Sequence, residues 1–65
     1  MLRLKVAGMT CQHCVQAVRK AVADVAPHAN TAVDLAAGTA DITGPADAAR
    51  VIAAIEAEGY GATTA

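Results

Sequence analysis

The chain has 65 residues, 55% of them hydrophobic, with 5 basic against 6 acidic side chains and a formal net charge of −1. One aromatic residue and so even a charge balance argue against nucleic acid, which calls for a basic patch and usually stacking aromatics. No apolar run approaches the roughly 20 residues of a membrane-spanning helix, so the chain is not expected to be membrane-embedded. Met1 opens directly onto a strand pattern instead of a secretory leader, which points to the cytoplasm. One small domain over residues 1–65 is expected. Its core must be built from small aliphatic side chains, because Phe and Trp are absent.

Leu2, Leu4 and Val6 alternate with Arg3 and Lys5, the period-2 pattern of a strand with one buried face. From about Gln12 to Ala26, Val15, Val18, Val22 and Val25 recur at spacings of three and four. They form the apolar stripe of a helix, with Gln12, Gln16, Arg19, Lys20 and Ala23 on its other faces. Pro27 ends that helix.

The run NTAVDLAAGTADITG reads as a hairpin. Thr31, Val33 and Leu35 share one face, Ala40 and Ile42 share a face of the return strand, and Gly38 sits in or beside the turn. GPADAARVIAAIEAEG is the clearest helix, with Ala48, Val51, Ile52 and Ile55 as its stripe. Pro45 suits the first helical position, Asp47 the first turn and Gly59 a left-handed C-terminal cap. YGATTA is a short last strand. The order βαββαβ, with alternating strands and two amphipathic helices, predicts an α+β, ferredoxin-like sandwich with both helices on one face of a four-stranded antiparallel sheet.

Both cysteines lie in GMTCQHC, at positions 11 and 14. In the first β-to-α connection, Cys11 is a loop residue and Cys14 belongs to the first helical turn. Unpaired backbone N–H groups and the helix dipole there favour thiolates. A structural disulfide is disfavoured in a reducing cytosol, and its loop would be too small to add much stability. A zinc site normally wants four ligands, and no second CxxC pair or His-x-x-x-His is present. Two soft thiolates suit Cu(I), with Ag(I), Hg(II) or Zn(II) as mimics. A small dithiol oxidoreductase stays open as an alternative, because a CxxC at a helix N-terminus also builds redox centres.

GMTCQHC after a strand and opening a helix, with the VDLAAGTADITG hairpin and the AIEAEGY run, resembles the heavy-metal-associated domain along essentially the whole chain. Within it the chain is most similar to bacterial copper chaperones of the CopZ type. The resemblance implies a cytosolic carrier, not an enzyme. In it Cys11 and Cys14 hold one Cu(I) and pass it by ligand exchange to the cysteine-bearing domain of a copper-transporting P-type ATPase. An excised domain of such an ATPase, or a mercuric-ion carrier of the same fold, would look alike. The resemblance also implies a monomer when metal-free and a copper-bridged homodimer as a further state.

Around the pair, the resemblance implies that Met9 packs under the loop, the alternative being a thioether ligand for copper. Thr10 is a candidate cap for the first helix. Gln12 lies on the exposed helix face leading to the loop, and Arg3, Lys5, Arg19 and Lys20 are candidates to steer docking. His13 is a bystander, a tuner of thiolate basicity or a third ligand. Tyr60, by resemblance, lies beside the metal site and either shields it or simply packs at the sheet edge as a lone aromatic.

Overall fold

Alternation does produce the first strand: β1 spans Leu2–Ala7, with Leu4 and Val6 buried and Arg3, Lys5 and Ala7 exposed. The computed structural model describes residues 2–65, and Met1 lies outside them. After β1 come α1 (Gln12–Val25), β2 (Asn30–Asp34), β3 (Thr39–Thr43), α2 (Ala48–Ala57) and β4 (Gly61–Thr64). The four strands make one antiparallel sheet in the order β2-β3-β1-β4. This is the ferredoxin-like βαββαβ arrangement. No helix among the described residues is long and apolar enough to cross a membrane.

Helices and sheet share one core. Leu4, Ile42, Ile55, Val18, Val22 and Val51 are its largest fully buried side chains. Burying an aliphatic side chain of this size stabilises the fold by about 1.5–3 kcal/mol, and six of them carry much of a small domain's stability. The alanines do more than expected: Ala21, Ala26, Ala40 and Ala62 are buried, whereas Val25 is only half-buried. Tight helix-to-sheet contact favours the smaller side chains at those places.

Three local expectations shift. Leu35 is not part of β2: it opens a turn in which the Asp34 carboxylate accepts from Ala37 N (3.1 Å) and its carbonyl from Gly38 N (2.8 Å). Pro45 is not the first residue of α2. Asp47 is the N-cap, and its carboxylate accepts from Ala49 N at 3.0 Å and Arg50 N at 3.4 Å. That capping bond outweighs the proline signal in setting where the helix begins. On the open face of the sheet, β1 and β3 pair Arg3 with Asp41, joined by a 2.7 Å ion pair. The bond holds the Asp41 carboxyl below its usual range. Arg3 is therefore engaged within the sheet.

The end of α2 matches the expectation for Gly59 in detail. Gly59 has φ +94° just past the C-cap Glu58. Its N–H donates to Glu56 O (2.9 Å), and the Tyr60 N–H donates to Ile55 O (3.4 Å). These are the two bonds of a Schellman stop. They turn the chain sharply, so that Tyr60 packs against the core cluster containing Ile55 at the moment β4 begins.

Candidate metal centre

Gly8, Met9 and Thr10 carry the chain from β1 to Cys11, the N-cap of α1. Cys11 is extended (φ −158°, ψ 176°), exposed, and makes no side-chain capping bond. Cys14, three residues into α1, is half-buried. Both are free thiols, with their sulfurs 3.9 Å apart.

That separation can be tested against a bound ion. A metal about 2.3 Å from each sulfur needs them roughly 4.6 Å apart if the three atoms are collinear, and about 4.0 Å apart at a trigonal angle. The pair thus spans one soft ion after at most a small side-chain adjustment. Among the described residues no group of three or more His, Cys, Asp or Glu side chains assembles around a common point. The described residues therefore offer two thiol sulfurs and no closed tetrahedral set.

Cys14 has the chemistry of a ligand. Its pKa falls from the ordinary thiol value of 9.0 to about 6. The largest cause is the Thr10 backbone N–H, followed by the Tyr60 hydroxyl and the Cys11 backbone N–H; burial opposes them and the Thr10 hydroxyl adds a little. A lowered pKa was expected from the first-turn amides and the helix dipole. The structure instead credits amides just ahead of the helix: the side chain of Cys14 reaches back to the N-cap, as an N3 glutamate does in a capping box.

Thr10 takes a different part from the cap expected of it. The cap position belongs to Cys11, and the Thr10 hydroxyl lies 3.8 Å from the Cys14 sulfur. Tyr60 arrives from the other end of the chain, and its hydroxyl pKa is raised, with the neighbouring Cys14 thiol as the largest cause. Met9 is half-buried and packs against the core beneath the loop. Gln12 and His13 are exposed on the first turn. An open groove of about 360 Å³ between the helices, lined by Ala21, Asp24, Val25, Ala54, Ala57 and Glu58, contains none of these residues.

Sequence reasoning missed Ile55 and Glu56, whose carbonyls receive the turn that aims Tyr60. The only available signal was the Gly-Tyr step at the end of α2.

A two-thiol loop at the mouth of the first helix of a βαββαβ sandwich defines a class of soft-metal-binding domain. Residues 3–61 match the heavy-metal-associated domain, and the chain belongs to that family. It is 45% identical over 60 residues to the copper chaperone CopZ of Bacillus subtilis, covering 88% of this chain and 87% of that protein. Solved structures agree. The copper chaperone Atx1 from Synechocystis PCC6803 superposes with a TM-score of 0.88 at 28% identity, covering 97% of this chain and 100% of that one. A copper binding domain from HMA7, a P-type ATPase, superposes with a TM-score of 0.88 at 25% identity, covering 98% and 90%.

Proposed function

We propose that this protein is a cytosolic Cu(I) chaperone. Cys11 and Cys14 take one Cu(I) as cargo and hand it to a metal-binding domain of a copper-transporting P-type ATPase. One observation carries the reading: two free thiols lie 3.9 Å apart with Cys14 held toward thiolate, and among the described residues no His, Asp or Glu is grouped with them. Thiolates match a soft monovalent ion, and a site with two ligands leaves the ion open to a third.

Transfer is ligand exchange. A thiolate of the docked partner forms a bond to copper and one cysteine of this chain lets go. A second exchange completes the move, and copper stays monovalent throughout. Neither protein is oxidised, and no step needs an acid, a base or a cofactor. The kinship to CopZ and to the copper binding domain of HMA7 supports both roles, donor and acceptor, being played by one fold. Residues 1–65 act as a single domain in this scheme. Met9 supports the loop from below, while Thr10 and Tyr60 hold Cys14. Gln12 and His13 belong to the exposed surface a partner meets.

Reduced protein titrated anaerobically with Cu(I) against a chromogenic chelator is expected to retain about one ion. A Cys11→Ser, Cys14→Ser double variant is expected to retain none. Equal competition by both proteins overturns the proposal, and catalysis of disulfide reduction by the metal-free protein would replace it with a dithiol oxidoreductase.

A further inference from the structure

The ring of Tyr60 rests on Gly8. A Cβ added to that glycine would lie 3.4 Å from Tyr60 Cδ1, at van der Waals contact. A methyl there rests on the ring, and the branches of a larger side chain such as valine bring further atoms toward it. The backbone at Gly8 also has φ +96°, where L side chains are strained. The backbone therefore asks for glycine, while the ring leaves a methyl in ordinary contact. The ring comes to this place from the far end of the chain, brought by the Schellman stop after α2 and by the β1–β4 register that sets Ala7 opposite Gly61.

We propose that Gly8 is a positioning residue: its bare α-carbon seats the Tyr60 ring over Cys14. Through that seat, position 8 governs how readily bound Cu(I) is withdrawn. The inference rests on the copper reading above and adds a residue that offers no ligand atom. A seated ring keeps the phenol hydroxyl beside Cys14 and in the way of an incoming ligand. A displaced ring gives up that contact, and an incoming ligand gains a path.

Tyr60 is the single aromatic residue, so intrinsic fluorescence reports on it alone. In reduced, metal-free protein, Gly8→Val is expected to raise acrylamide quenching of that emission severalfold. Gly8→Ala should do so less, and it carries the test where the valine variant does not fold. In loaded protein, Gly8→Val and Tyr60→Ala should each speed Cu(I) withdrawal by a chelator by roughly a factor of ten, the scale of one hydrogen bond to a charged group.

The double variant decides the route. It should be no faster than Tyr60→Ala alone, because position 8 acts through the ring. Rates that multiply in the double variant overturn the proposal, since position 8 then acts by some other path. Unchanged quenching overturns it too. If the native protein takes up no Cu(I), it is the copper reading that falls, and quenching of the metal-free variants still decides whether the seat exists.

Discussion

The two β-to-α connections begin alike and finish differently. Gly8 and Gly44 leave their strands at φ +96° and +115°, and each stands three positions before an N-cap, Cys11 or Asp47. At α2 the cap is a carboxylate that accepts two amide hydrogens. At α1 the same position holds a cysteine with no capping bond. There the amides of Thr10 and Cys11 act instead on the Cys14 thiol, and lower its pKa. One connection spends its geometry on stability, whereas the other leaves a helix end under-capped so that two sulfurs stay free to move toward a metal. The difference teaches where this fold tolerates a local loss of stability for the sake of exchange.

The largest expected effect breaks that difference outright. Cys11→Ser gives α1 a hydroxyl cap like those preferred at N-caps. The metal-free protein should gain about 0.5–1 kcal/mol in urea unfolding while losing Cu(I) retention in chelator competition. A variant less stable than the native chain would show that Cys11 already caps its helix by another route. The reverse change, Asp47→Ala, should cost about 1 kcal/mol in the same unfolding experiment and leave Cu(I) retention unchanged.

A third outcome concerns pH. Cys14 has a folded pKa of about 6 against 9.0 for an ordinary thiol, so folding favours its thiolate. The contribution is fully present above pH 9.0 and is lost as pH falls through about 6. The thermal midpoint of reduced, metal-free protein should therefore rise from pH 6 to 9, with Cys14→Ser flattening that part of the curve. Solvent exposure of the loop screens the effect and keeps it below that of a cap.

The smallest effect is expected on the open face of the sheet. Asp41→Asn removes an exposed ion pair, which contributes little in water. Its carboxyl titrates below the usual range, so the pair's contribution is present at neutral pH and is lost as the solution becomes strongly acidic. Thermal unfolding of the variant at neutral pH, followed by circular dichroism, should nearly overlay that of the native chain.

Much of this was legible in the residues. Leu2, Leu4 and Val6 announced β1, the valine stripe announced α1, and Gly59 announced the stop of α2, because each depends on local periodicity or a local backbone demand. Cys11 and Cys14 were legible as a soft-metal pair because spacing and helix position are local too. The start of α2 was misjudged because Pro45 and Asp47 both signal a helix beginning, and only hydrogen-bond geometry separates them. The Arg3–Asp41 pair depends on strand register, and the meeting of Tyr60 with Gly8 depends on β4 lying beside β1. Neither distance can be read along the chain.

The β1–β4 pairing also sets a timetable. Ala7 lies opposite Gly61, so the thiol loop is made well before the tyrosine that meets it at Gly8. A nascent chain emerging from a ribosome would display both thiols long before residue 60 exists to cover them. Copper met at that stage would find an uncovered pair, and the finished site forms only when the last strand closes the sheet.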